Sequence, residues 1–375
     1  MKSSDFSTHS HQFSAFFYKY LSVPAPLDTK MKKYSQKWWR SQELLLILQA
    51  MAISLTHIQE QLRPQLDALN EIITSTLTSN SELTNNIVTA YLKSKGKMLR
   101  PIVTLLSAKF FGGINDKALQ AAAALEMLHN ASLIHDDVID EAKERRGLPT
   151  INNVWSNHVA VLVGDFFVTG ALRCGVATGD GRILSALADM GRDLSLGEID
   201  QVDMARNHNI DEATYMEIIR AKTASLFECC AAVGGYANDA PRTSIDELRG
   251  YTRLLGICFQ IKDDTFDYFD DPTVGKPTGN DLVEGKITLP LIYALSLTER
   301  RGHEAMRALV HKPELEPADI TALVEWAKEC GGIDYAYDVM RRLRDEAAGL
   351  LAGYGDNEVT RALCDIFDFI IARRS

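Results

Sequence analysis

The chain has 375 residues, long enough to bury a large core as one big domain or two ordinary ones. Hydrophobic residues make up 46% and charged residues 24%, an ordinary globular balance. The net charge of -10, from 50 acidic against 40 basic residues, argues against a nucleic-acid partner. It leaves open a polyanionic substrate recruited through divalent cations.

Met1 to Ala50 mixes Ser, His, Lys and aromatics without helical periodicity and carries Pro24 and Pro26. Three readings stand for these residues. They are a poorly ordered appendage, with Met51 as the usual start; or an organelle transit peptide, which low acidity suits but the single Arg40 does not; or a docking helix using Trp38, Trp39 and Leu44 to Leu48. The expected division is an extension over 1–50 and a catalytic domain over 51–375. A chain starting at Met51 is expected to fold and stay active.

From Met51 the pattern MAISLTHIQEQLRPQLDALNEII is amphipathic and helical. Ala-, Leu- and Glu-rich stretches then follow one another, broken at Gly112-Gly113, Gly179-Asp180-Gly181, Gly234-Gly235 and Gly331-Gly332. The expected fold class is all-α, a bundle of roughly ten or more helices around a central cavity. Six scattered cysteines form no C-x-x-C pair, so buried reduced thiols in a reducing, cytoplasmic setting are expected. No run of about 18 apolar residues predicts a transmembrane span.

One motif occurs twice. Asp136, Asp137 and Asp140 form DDxxD in LIHDDVIDEAKERRG, and Asp263, Asp264 and Asp267 repeat it in FQIKDDTFDYFDD. On a helix, residues four apart point the same way, so each trio crowds like charges onto one side. A lone acidic helix face is usually just solvated. Two, each following apolar residues (Leu133-Ile134 and Phe259-Ile261), point instead to Mg²⁺, whose shell leaves room for water and phosphate oxygens. Basic residues recur nearby: Lys97 and Arg100 in SKGKMLRP, Arg145 and Arg146, Lys222 in RAKTASLF, and Lys276 and Lys286 bracketing GKPTGNDLVEGKITLP. Singly, each reads as a surface cation. As a set they suit one diphosphate clamped through metals and a second held directly by Arg and Lys.

These motifs, with RRG after the first trio, KT, FQ-x-x-DD, GKP-x-x-NDL-x-EGK-x-TLP and GGIDYA at 331–336, resemble the trans-isoprenyl diphosphate synthase (polyprenyl synthetase) family from about residue 84 to the end. The resemblance implies condensation of isopentenyl diphosphate with an allylic diphosphate to an all-trans polyprenyl diphosphate, by a magnesium-dependent homodimer. It implies that Asp136, Asp137, Asp140, Asp263 and Asp267 bind Mg²⁺, with Asp264 in support. Arg145, Lys222 and Lys286 then contact the allylic diphosphate, while Lys97, Arg100, His129 and Arg146 hold isopentenyl diphosphate. Thr223 and Gln260 face the developing carbocation, and the released diphosphate serves as the base. Lys95 and Met98 stand where the family usually has glycine and arginine, and Asp270 where glycine is common.

Ala131 and Ser132 lie about one turn before the first trio, where short-chain members place an aromatic. Small side chains there, and Ala121 to Ala124 further down, point to a long-chain product of the quinone side-chain range; the other reading is that Ala and Ser simply allow tight helix packing. The alternatives are a farnesyl or geranylgeranyl diphosphate synthase, a class I terpene cyclase, and a silent partner subunit. A cyclase replaces the second DDxxD by an Asn/Ser/Glu-type triad, and silent subunits lose motif aspartates; neither applies to this chain.

Overall fold

The computed structural model describes residues 55–93, 96–207, 211–269, 278–312 and 314–373. The leader over 1–50, Lys95, Asp270 and Lys276 lie outside the described residues. A helical stretch at 55–61 leads into α1 (Arg63–Thr76), α2 (Glu82–Leu92), α3 (Leu99–Phe110) and α4 (Asp116–Ile139). A small hairpin, β1 (Glu144–Arg145) and β2 (Leu148–Pro149), precedes α5 (Ile151–Val154), α6 (Asn157–Ala177), α7 (Gly181–Arg206) and α8 (Glu212–Ile219). A π-turn over Arg220–Ala224 opens α9 (Ser225–Ala237), which α10 (Arg242–Phe266) and α11 (Asn280–Val283) follow. The chain closes with α12 (Leu289–Ser296), α13 (His303–Val310), α14 (Pro317–Glu329), α15 (Gly332–Leu351) and α16 (Glu358–Ala372). The fold is all-α; among the described residues the only strands are the two of the hairpin, paired antiparallel.

α4 is the central helix. Asn115 caps it by accepting the Ala118 N–H, and its alanines 121 to 124 are fully buried. A run of alanines buried on every side must be surrounded, and small side chains let its neighbours approach. Its most extensive partner is α6, through two glycines. A Cβ on Gly164 would lie 2.2 Å from His135 Nε2, and one on Gly170 3.0 Å from Met127 Sδ. Met127 and His135 flank Ala131 by one turn on either side, so Ala131 sits in this seam. It is 1% exposed. The roomy opening expected at Ala131 is therefore filled by α6; Ser132, on the neighbouring stripe, stays partly exposed.

α6 also revises the expectation about apolar runs: by length and composition it could cross a membrane, the one such helix among the described residues. Its inner side is core, with Phe167 fully buried, while Val161, Leu162, Leu172 and Val176 face outward.

The π-turn is held between two glycines. A Cβ on Gly197 of α7 would meet Lys222 N at 2.7 Å, and one on Gly256 of α10 would meet Ala224 Cα at 2.6 Å. Both neighbours are backbone and cannot yield. Gly191, also on α7, has nothing within 4 Å of such a Cβ. Gly197→Ala is expected to cost about 1–3 kcal/mol and lower turnover by displacing the π-turn, while Gly191→Ala stays neutral or gains up to about 1 kcal/mol. Thermal midpoints of the two variants check this, and equal stability would refute the close approach.

Candidate active site

The two trios end α4 and α10, and neither acts as a single face. Successive helical residues point about 100° apart, so Asp137 turns inward from Asp136. It is 2% exposed and accepts Arg145 Nε at 2.7 Å. Asp136 and Asp140 stay on the cleft side, and Lys286 Nζ lies 3.9 Å from Asp140 Oδ1. In the second trio Asp263 pairs with Arg373 Nη2 at 2.6 Å. Asp264 is buried, accepting Tyr215 Oη at 2.6 Å and Gln260 Nε2 at 2.7 Å. Asp267 accepts the N–H groups of Asn280 and Asp281 at 2.9 and 3.2 Å, fixing where the chain re-enters after the trio.

Two lysines join the walls. Lys286, beyond the second trio, reaches Asp140 of the first. Lys222 pairs with Glu198, donates to Gln201 Oε1 at 3.3 Å, and its charge opposes protonation of both Asp136 and Asp264. A cavity of about 110 Å³ opens between them, lined by Gln201, Lys222, Thr223, Gln260, Asp264 and Lys286 among others. Burial pushes Asp136 up to about 6, helped by Glu198 and Asp140 and opposed by Lys222 and Arg145. Burial also raises Asp264. Burial works against the Lys286 ammonium, but Glu284 and Asp140 outweigh it and leave that group above its usual range.

Among the described residues no three acidic, His or Cys side chains converge closely enough to hold a metal unaided. The carboxylates are instead spread along the cleft. That donor set fits a hard cation that takes one or two carboxylates and completes its shell from water and phosphate oxygens.

A second group is cationic. Arg100 is half-buried, its guanidinium over the rings of Phe227 and Phe259 at 5.3 and 5.6 Å, and its Nε has no hydrogen-bond partner. Arg373 lies 4.1 Å over Phe259, its Nε also unpartnered. Lys97 Nζ is 5.6 Å from the Phe369 ring. Arg146 packs against Gly96, where a Cβ would be 2.7 Å from its guanidinium. The turn carrying it is tight: Arg146 and Gly147 have φ of 53° and 72°, both left-handed, as a two-residue hairpin loop requires. Met98, entering α3, has φ 54°. Such non-glycine conformations cost on the order of 1 kcal/mol each.

These groups crowd one another. Burial and then Arg373 depress Lys97. Burial depresses Arg100, with Arg146 adding to it. Burial holds His129 well below its usual range, reinforced by Arg100, Arg146 and Arg145, so its ring is neutral. Glu126, facing Arg100 and Arg146, is itself pushed up to about 7 by burial, and its Oε2 has no hydrogen-bond partner.

A family model described as Polyprenyl synthetase matches residues 81–327. The chain belongs to the polyprenyl synthetase family. It is therefore a prenyltransferase. It is 36% identical over 280 residues to heptaprenyl diphosphate synthase component 2 of Geobacillus stearothermophilus, covering 74% of this chain and 86% of that one. It is 30% identical over 326 residues to octaprenyl diphosphate synthase of Escherichia coli, covering 86% and 99%. Its fold superposes with a TM-score of 0.80 and 32% identity on a polyprenyl synthase from Caulobacter crescentus solved with calcium and isoprenyl diphosphate, covering 86% of this chain and 98% of that one.

In this polyprenyl synthetase the sequence reading missed Glu126, Glu198, Tyr215 and Arg373. Glu126 had a signal: a carboxylate set among the alanines and leucines of AAAALEMLH, one turn before His129. Glu198 and Gln201 lie one turn apart, but nothing in the sequence joins them to Lys222. Arg373 and Asp263 lie 110 positions apart and meet only through packing.

Proposed function

We propose that the protein condenses isopentenyl diphosphate with an allylic diphosphate and extends it to a long-chain all-trans polyprenyl diphosphate. The observation that carries this reading is the gathering of Lys97, Arg100, Arg146 and Arg373 beside a carboxylate-lined cleft, where burial and the neighbouring guanidinium groups lower Lys97 and Arg100. Clustered like charges are relieved by a polyanion bound directly, and spread carboxylates by cations that bring a second one.

In this reading Lys97, Arg100 and Arg146 hold the isopentenyl diphosphate, and neutral His129 offers it a ring N–H. Lys222, Lys286 and Arg145 take up charge on the allylic diphosphate as its C–O bond breaks. Asp136, Asp140 and Asp263 would hold Mg²⁺, which supplies further positive charge to those phosphate oxygens. Thr223 and Gln260 face the allylic cation. The isopentenyl double bond forms the new C–C bond, and the proton lost passes to the released diphosphate.

The outward apolar face of α6, with Leu162 68% and Val176 65% exposed, continues onto α7 at Ile199. We propose that a second copy covers it. A partner subunit is the alternative, since one relative is a named component of a larger synthase. Equilibrium sedimentation distinguishes dimer from monomer awaiting a partner. The buried cysteines fit a reducing, cytoplasmic setting.

Incubation with farnesyl and isopentenyl diphosphates, followed by chromatography of the dephosphorylated products, tests the reaction. A long all-trans prenol supports it; a cyclic terpene, or no product, refutes it. Within it, Arg146→Ala is expected to raise KM for isopentenyl diphosphate about tenfold more than KM for the primer. Lys222→Ala is expected instead to lower kcat about 100-fold, because its partner gains charge in the transition state. Equal effects on both substrates would overturn the assignment.

A further inference from the structure

The buried hydroxyl of Tyr215 has no part in the scheme above, yet it begins a directional chain of hydrogen bonds. Tyr215 Oη donates to Asp264 Oδ2 at 2.6 Å, Gln260 Nε2 donates to Asp264 Oδ1 at 2.7 Å, and Thr223 Oγ1 donates to Gln260 Oε1 at 2.7 Å. All four residues line the same cavity. We propose that Tyr215 is a positioning residue: by anchoring Asp264 it fixes the Gln260 amide, and so the direction in which Thr223 spends its only hydroxyl proton.

The chain runs with a single polarity. Both Asp264 oxygens act as acceptors, Oδ2 from Tyr215 Oη and Oδ1 from Gln260 Nε2, so the Gln260 end facing Asp264 is its NH₂. Flipping that amide would set two acceptors face to face. Its carbonyl therefore faces Thr223, and Thr223 must donate to it. A hydroxyl that has given away its proton can offer only lone pairs to anything else it meets. The Thr223 oxygen thus turns its negative side toward the cavity, where it favours a carbocation. Such a preset dipole costs no reorganisation when the charge develops.

Tyr215 holds the far end. It stands on α8, which runs directly into the π-turn carrying Thr223, whereas Asp264 and Gln260 stand on α10. The chain therefore ties α8, which feeds the π-turn, to α10, which packs against it. Without the Tyr215 hydroxyl, Asp264 Oδ2 loses its donor, and the carboxylate is free to rotate and release the amide.

This inference rests on the condensation reading above. Its test is a double-mutant cycle on a single condensation step. Tyr215→Phe keeps the ring and is expected to lower kcat about 10- to 100-fold, with KM for both diphosphates changing less than about twofold. Thr223→Val removes the hydroxyl that the chain orients. In that background, adding Tyr215→Phe is expected to cost less than about threefold more, because little remains to be oriented. The same loss in both backgrounds, or none in either, would overturn the role of Tyr215 while leaving the reaction intact. A wild-type protein without condensation activity would overturn both. Gln260→Glu breaks the chain one link further on by turning the donating amide end into an acceptor. Should Tyr215→Phe fail to fold, as judged by circular dichroism, the same cycle with Gln260→Glu must show the same non-additivity, and additive losses there overturn the proposal.

Discussion

Asp136→Ala is expected to lower the condensation rate at least about 10³-fold while making the metal-free protein more stable at neutral pH. The two effects share one cause. Asp136 is placed in the cleft beside Asp140 and Glu198, and burial lifts it to about 6 from its ordinary value. Its folded-state proton affinity therefore exceeds that of the unfolded chain. Stability from this group is fully present below about pH 4 and is lost as pH rises to about 6, on the order of 1–2 kcal/mol after allowing for partial exposure. Above that, the ionised carboxylate is a standing cost, and alanine removes it. Urea unfolding in chelator at pH 5 and pH 7.5 measures this: the wild type loses stability over that interval and the variant loses less. Turnover of the wild type should vanish in excess chelator and return with Mg²⁺. Full activity in chelator, or an active Asp136→Ala, would remove the metal from the proposed mechanism. A variant less stable at pH 7.5 would show that burial does not strain this carboxylate.

Ser132→Phe is expected to replace the long product by one of roughly farnesyl or geranylgeranyl size. Ser132 stands one turn before Asp136 on the same stripe of α4, and a turn rises about 5.4 Å, close to one isoprene unit. It is partly exposed, its hydroxyl donating to the His129 carbonyl at 2.9 Å, so a ring there would extend into open space. The first condensation should persist, because the carboxylates and cations are untouched. Ala131→Tyr is expected to behave differently. Ala131 is buried against α6, and a ring there must part the α4–α6 seam at a cost of about 1–3 kcal/mol, read as a lower thermal midpoint. An unchanged long product from Ser132→Phe would mean that the growing chain takes another route, and the length argument would fall with it.

The contrast between these neighbouring residues shows where sequence reasoning ended. Within one helix, spacing is geometry. DDxxD puts Asp136 beside Asp140 and Asp263 beside Asp267 whatever surrounds them, and a run such as Ala121 to Ala124 demands close neighbours. The all-helical class, the acidic motifs and the cations accompanying them were legible for that reason. Which neighbour fills a given face is set by how helices far apart in the chain come to pack. Packing turned Asp137 inward onto Arg145, buried Ala131 in the seam where Gly164 and Gly170 meet His135 and Met127, and brought Arg373 to Asp263 across 110 positions. It also set Tyr215 at the head of a chain ending at Thr223, an alignment that depends on the π-turn meeting α7 and α10 through Gly197 and Gly256, too small to keep them apart. Residue types and their period determined the chemistry available to this protein; only the tertiary contacts decided which of those groups face one another.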